Sequence, residues 1–230
     1  TDVNGILTAD PKYVHDARTL PEISFADAAE IAALGAELFH PHTLGPVASR
    51  GITLHIRNIE HPDHQGTRVV VHPQTPARAA RAVISSGALS LLSVAARSHA
   101  EDWGPALTRM AEANVEILSF TQSLSERSLT LAVRANDAPF ARECLQSALP
   151  ANAGNDTVPH VSIRTPVALV ALICTPGEAQ LMPAVLGALA RTGTEVLSLS
   201  QSASHITMLI PEHYARQVVQ ALHADLHMAS

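Results

Sequence analysis

The sequence predicts an α/β segment at its amino end followed by two small α+β modules, and three observations carry that prediction. The later two-thirds of the chain contain an internal repeat. The first third sets one well-capped helix among short strands and turns, and the composition requires buried cores throughout. Of 230 residues, 47% are hydrophobic, 16% charged and 3% aromatic. The elements must therefore bury Val, Leu, Ile and Ala rather than large rings.

In chain order, Ser24 with Asp27 three residues on forms a capping-box pattern ahead of an Ala-rich run. Phe25, Ala28, Ile31 and Ala32 keep helical spacing there, which predicts a helix over 25–36. His40-Pro41 and a short helical stretch over 43–49 follow, and the alternation of Ile52, Leu54 and Ile56 predicts a strand. His61-Pro62-Asp63 and Gln65-Gly66 mark a turn, residues 67–71 a second strand, and Pro73 and Pro76 a linker. This part has too few core elements to stand alone.

The repeat aligns residues 106–123 with 185–202 without a gap, at an offset of 79 residues, with seven of 18 positions identical. Leu107, Ala111, Glu116, Leu118, Ser119, Gln122 and Ser123 match Leu186, Ala190, Glu195, Leu197, Ser198, Gln201 and Ser202. Each copy reads as strand, loop, helix, two strands and a second helix. The first copy has strand 89–95, helix 103–113, strands 116–122 and 128–134, and helix 138–149; the second has strand 167–173, helix 178–191, strands 195–201 and 205–210, and helix 212–226. Met182, Val185, Leu186 and Leu189 fall on one stripe of the second copy's first helix. Two βαββα units with helices on one side of an antiparallel sheet form the split βαβ, or ferredoxin-like, arrangement. The run 81–84 offers either unit an extra strand.

Several function classes are excluded. A net charge of −6 leaves no surface basic enough to hold a nucleic acid. The longest apolar runs, such as 167–174, fall far short of the roughly 20 residues that a bilayer-spanning helix needs. Cys144 and Cys174 give neither a disulfide framework nor metal-ligand spacing, which suits a reducing, cytoplasmic compartment; on an apolar helix and strand they read as core residues. The 13 histidines, among them His40, His42, His55, His61, His64 and His72, form no ligand pattern, so no metal site is expected. Trp103 starts a helix and reads as a packing residue. The chain opens on Thr1 inside a motif, which points to a fragment, and residues 227–230, His-Met-Ala-Ser, resemble a cloning remnant.

Particular residues bring a family into view. Residues 1–12 (Thr-Asp-Val-Asn-Gly-Ile-Leu-Thr-Ala-Asp-Pro-Lys), then Glu22-Ile23-Ser24-Phe25 with Ala28-Ala29-Glu30, Gly35-Ala36, His40-Pro41 and Gly66-Thr67, resemble the second half of an aspartate kinase catalytic domain. The two repeats resemble the paired ACT regulatory domains of the same enzymes, down to Gln217-Val218-Val219 and Ala221-Leu222-His223. The resemblance thus covers essentially the whole chain. It implies the end of an amino-acid-kinase α/β domain over 1–75, followed by two ferredoxin-like (βαββαβ) ACT domains. The first ACT domain, 88–152, is expected to be inserted into the second, 78–87 plus 160–227.

The family phosphorylates the β-carboxylate of aspartate with MgATP, a step towards lysine, threonine and methionine. The Lys-Phe-Gly-Gly motif and Gly-rich segments that grip phosphate in such kinases do not occur in this sequence, nor does a Walker-type loop. The resemblance therefore implies no catalytic residue and no resident cofactor in this chain, and MgATP only as the parent's co-substrate. It places Thr1, Asp2, Leu7, Lys12 and Glu37 on the nucleotide side. Leu7 stands where Tyr or Phe is usual, Lys12 where Arg is usual, and Glu37 where many members carry Lys. A Glu repels polyphosphate, and Lys for Arg loses a planar fork.

For the regulatory half, the resemblance implies an amino-acid effector, lysine or threonine, held between the loop 97–104 and the following strand, with homodimers formed through the ACT domains. Backbone N–H groups at a helix start donate to an α-carboxylate, and an acid must meet the ammonium. The candidates are Ser98, His99, Glu101, Asp102, Glu116, Leu118, Gln122 and Ser123. Many lysine-sensing members carry Asp where Leu118 stands and Gly-Phe where Glu101-Asp102 align. Leu118 also reads as core, like its repeat partner Leu197. The expected function is the regulatory part of an aspartate kinase. Two alternatives stay open: a non-catalytic homologue with a decayed nucleotide site, and a piece of a bifunctional aspartokinase fusion.

Overall fold

A computed structural model describes residues 1–34, 43–74, 79–95, 103–123, 128–148, 161–175, 181–226 and 228. In chain order the elements are β1 (Glu22–Ser24), α1 (Phe25–Ala33), α2 (Leu44–Ala48), β2 (Leu54–Ile56), β3 (Thr67–Val70), β4 (Ala80–Ala95), α3 (Gly104–Glu112), β5 (Ile117–Ser123), β6 (Ser128–Arg134), α4 (Ala138–Ala148), β7 (Val161–Cys174), α5 (Leu181–Thr192), β8 (Ser198–Gln201), β9 (His205–Pro211) and α6 (Ala215–Asp225). They divide into two compact units, one of residues 1–86 with 168–230 and one of residues 87–167. The chain passes between units inside β4 and again inside β7.

In the first unit, β1 pairs parallel and β2 antiparallel with the central β3, Ile23 and Leu54 both lying opposite Val69. The capping box is present as predicted: Ser24 Oγ accepts from Asp27 N at 3.0 Å, and Asp27 Oδ2 accepts from Ser24 N at 3.3 Å. Phe25, Ala28, Ile31 and Ala32 are buried, and the helix stops at the cap residue Leu34. The rest of this unit is the second repeat, with the amino half of β4, β7, β9 and β8 and the helices α5 and α6. Its core gathers Val83, Val170, Leu172, Val185, Leu189, Met208, Val218 and Leu222. Leu186 departs from the predicted stripe: it is 49% exposed, and Leu181 and Ala188 take its place inside. Met228 is 2% exposed in the same core, and its N–H donates to His223 O at 3.2 Å.

The second unit is the first repeat. β5 pairs with β6 and β6 with the carboxyl half of β4, both antiparallel. Beyond β4 runs the amino end of β7, where Ser162 Oγ donates to Ser93 O at 3.1 Å. α3 and α4 cover one face over Leu92, Val94, Trp103, Met110, Leu129, Leu131, Val133, Cys144 and Leu145. Trp103 and both cysteines are buried.

The repeat holds at the level of single hydrogen bonds. Asn114 ends α3 at φ 57° and Gly193 ends α5 at φ 61°, the left-handed conformation that closes a helix. Val115 N donates to Met110 O at 2.9 Å and Thr194 N to Leu189 O at 3.2 Å, each pair 79 residues from its counterpart. Two differences from the sequence reading stand out. The predicted strands 81–84 and 89–95 are one strand, β4, continuous through Ala88 despite its φ of 55°. The strand predicted at 167–173 begins at Val161, and Val161 packs in the core of unit 87–167.

Glycine substitutions separate conformation from crowding. At Gly193 nothing lies within 4 Å of an added Cβ, so Gly193→Ala meets only the backbone penalty, about 1 kcal/mol. At Gly66 (φ +70°) an added Cβ falls 2.1 Å from Ile56 O, so Gly66→Ala adds a backbone clash and costs on the order of 3 kcal/mol. Urea unfolding of the two variants is expected to rank them in that order.

Candidate functional site

The amino-terminal polar edge forms where residues 1–4 run beside 57–60. The Thr1 ammonium donates to Arg57 O at 3.4 Å, and Ile59 N donates to Thr1 O at 2.9 Å. Buried Asn58 ties the edge together: its Nδ2 donates to Asp2 O and to Asn4 Oδ1, both at 2.9 Å, and its Oδ1 accepts from Glu60 N at 2.9 Å. A buried amide with donor and acceptor both engaged is a fixed strut. Thr1 and Asp2 are exposed upon it.

Residues 6–20 form a hairpin that carries Leu7 and Lys12. Thr8 N donates to Arg18 O and Leu20 N to Ile6 O, both at 2.8 Å, with Leu7 bridged to Thr19 between them. Leu7 is half-buried, and Lys12 is exposed near the tip, its N–H held by Asp10 Oδ1 at 2.8 Å. The base is pinned by fully buried Thr67, whose Oγ1 accepts from Ile6 N at 2.8 Å and donates to Leu20 O at 2.7 Å. The structure thus brings Thr1 and Asp2 together and sets Leu7 and Lys12 on the hairpin. Glu37 lies outside the described residues.

No motif in the sequence marks how firmly this segment is joined to the second repeat within its unit. Ala9 and Val14 of the hairpin sit in the core shared with α6. Val83 N donates to Thr8 O at 2.8 Å, and Thr8 Oγ1 meets His223 Nε2 at 2.9 Å. Gln220 Nε2 donates to Tyr13 O at 2.7 Å, and the Arg216 guanidinium lies 5.2 Å from the Tyr13 ring centroid. Asp27 is ion-paired with Arg81 of β4 beside its helix-capping role, and Arg81 Nε also reaches Thr175 Oγ1 at 3.4 Å. Glu30 spans Ser204 Oγ at 3.1 Å and His205 Nδ1 at 3.0 Å. Burial pushes the His223 imidazole below its ordinary range, against a weaker upward pull from Asp16.

In unit 87–167, the candidate effector residues Glu116, Leu118, Gln122 and Ser123 lie on or just before β5, the edge strand. Glu116 is exposed, with its carboxylate 3.4 Å from Arg134 Nε, so an arriving ammonium shares that carboxylate with a guanidinium. Leu118 is half-buried at the irregularity where the β5–β6 register shifts, Gln122 is exposed and Ser123 half-buried. Ser98, His99, Glu101 and Asp102 lie outside the described residues. Among the described residues, no three His, Cys, Asp or Glu side chains are grouped to hold a metal ion, and no helix is long and apolar enough to cross a membrane.

Known proteins match both ends of this arrangement. The amino acid kinase family matches residues 1–58 and the ACT domain residues 167–224. A bifunctional aspartokinase/homoserine dehydrogenase of Haemophilus influenzae is 25% identical over 98% of this chain and 29% of its own length. Lysine-sensitive aspartokinase 3 of Escherichia coli is 29% identical over 98% of the chain and 51% of its own length. The crystal structure of E. coli aspartokinase III with aspartate and ADP superposes at a TM-score of 0.80, with 28% identity over 99% of this chain and 51% of that one. The chain therefore spans about half the length of aspartokinase 3, and less of the bifunctional protein.

Two outcomes follow from the joint. Replacing Arg81 by Ala leaves the Asp27 carboxylate, 7% exposed, without its cation, and is expected to cost about 3 kcal/mol in urea unfolding. His223 is held neutral in the fold, so the unfolded chain binds a proton more readily and stability falls as pH drops through the ordinary imidazole value of about 6.5. His223→Gln is expected to remove that part of the slope between pH 7.5 and 5.5.

Proposed function

The chain belongs to the aspartokinase family, and on that premise we propose that it is the part of such an enzyme through which an end-product amino acid controls phosphoryl transfer. The observation that carries the proposal is the junction itself: an amino acid kinase segment that shares a core with an ACT module, in a chain that carries a second copy of the same repeat. The parent reaction is transfer of phosphate from MgATP to the β-carboxylate of aspartate. Thr1, Asp2 and Lys12 face the nucleotide, and the grip on the phosphates comes from elsewhere in the enzyme.

The effector is lysine or threonine. E. coli aspartokinase III, 28% identical, has been solved with lysine and aspartate in its T-state and with aspartate and ADP in its R-state. In this chain Glu116 with Gln122 and Ser123 supplies polar partners along β5, while the start of α3 contributes less than a usual helix end because Pro105 has no N–H. Both lie in one unit. Effector binding favours one subunit arrangement of an ACT-paired homodimer over another, and that bias in population lowers kinase activity. The setting is the cytoplasm.

A second reading has its own support. Leu7, Lys12 and Glu37 all depart from the residues usual in the family, which favours a homologue that keeps the regulatory fold and has lost nucleotide affinity.

Calorimetric titration of the chain with lysine, threonine and methionine tests the proposal. Saturable binding of lysine or threonine is expected, weakened about tenfold by Glu116→Gln, since a hydrogen bond to a charged group is worth roughly 1.5–3 kcal/mol. No binding of any of the three at millimolar concentration contradicts the sensor role. MgADP binding by the full-length gene product separates an active enzyme from the decayed homologue.

A further inference from the structure

The 6–20 hairpin is fixed at two places of different origin. Its base hangs from Thr67 of β3, the strand that pairs with β1 and β2 of the amino acid kinase match, through Ile6 N and Leu20 O. Its middle is held by the second repeat, where Thr8 O accepts from Val83 N of β4 and Thr8 Oγ1 meets His223 Nε2 of α6. Thr8 Oγ1 also accepts from Arg18 N at 3.0 Å, so one hydroxyl ties the two limbs of the hairpin to each other and to α6. Thr8 is 5% exposed and His223 3%, so water does not replace either partner when the bond is lost. Gln220 and Arg216, one and two turns earlier on the same helix face, hold Tyr13 nearer the hairpin's tip.

We propose that α6 is the element through which the second ACT module sets the hairpin of the amino acid kinase segment, with His223 as its positioning residue. A shift or rotation of α6 moves Thr8 and Tyr13 together and so moves the exposed tip that carries Lys12. The base, anchored on Thr67, stays with the kinase sheet and acts as the pivot. The inference deepens the proposed function and rests on it for the meaning of the hairpin; the positioning itself rests on the geometry.

The test is amide hydrogen exchange on the chain with His223→Leu, His223→Gln, Thr8→Val and, as a control for general destabilisation, Val219→Ala. Val219 is fully buried in the same core without a bond to the hairpin. His223→Leu and Thr8→Val are expected to lower protection at Thr8, Arg18, Leu20 and Val83 at least tenfold more than at β9. His223→Gln, whose amide nitrogen reaches the place of Nε2, is expected to restore it. Val219→Ala is expected to lower protection evenly through the unit. Hairpin amides in His223→Leu that stay protected as in the parent, or that change only in step with β9, overturn the proposal. Should His223→Leu not fold, Thr8→Val alone decides by the same comparison. Failure of the kinase reading looks different: the exchange pattern stands, and the full-length gene product binds no MgADP.

Discussion

The structure depends on the burial of a hairpin that has no core of its own. Residues 6–20 contain two short limbs, a polar tip and only Ile6, Ala9 and Val14 as fully buried apolar side chains. A ribbon of that size is marginal in water unless it packs on something else. It packs on the second repeat: Ala9 and Val14 enter the core of α5, α6 and β9, and Thr8 closes the polar contacts. The amino acid kinase segment therefore cannot be described without the ACT module matched at residues 167–224. Residues 1–86 and 168–230 accordingly form one compact unit.

Polar joints make that packing specific. Asp27 serves as both helix cap and partner of Arg81, and Glu30 engages Ser204 and His205. Ion pairs of this kind add less to stability than apolar burial of equal volume, but they penalise any arrangement that strands one partner. A joint that is intolerant of slippage suits the proposed positioning of the hairpin by α6. The same features are dispensable in a passive linker.

Much of this was legible in the sequence because it is local or periodic. The capping box at Ser24 and Asp27 and the strand alternation at Leu54 and Ile56 depend on residues a few positions apart, and the repeat from Leu107 to Ser123 on an alignment at a fixed offset. The helix ends at Asn114 and Gly193 lie within reach of the same alignment. Other features were out of reach for a stated physical reason. Strand β4 looked like two because Ala88 interrupts its backbone without ending its pairing, and Leu186 kept helical spacing while facing solvent. The joint pairs Thr8 with His223, Asp27 with Arg81 and Glu30 with His205, contacts between residues 54 to 215 positions apart. A polar residue gives no sign in sequence of which distant partner satisfies it. Glu116 and Gln122 were found by resemblance, and the structure adds the partner, Arg134, that any cationic ligand must contend with.

A shared core requires the amino acid kinase segment and the second ACT module to unfold as one cooperative unit. Native-state hydrogen exchange in increasing denaturant reads this directly. The slowest amides of β3 and the 6–20 hairpin are expected to merge with those of β9 and α6 into one opening isotherm, with a common free energy and denaturant slope. Opening of the amino-terminal amides at a lower free energy and smaller slope, while β9 and α6 remain fully protected, contradicts it.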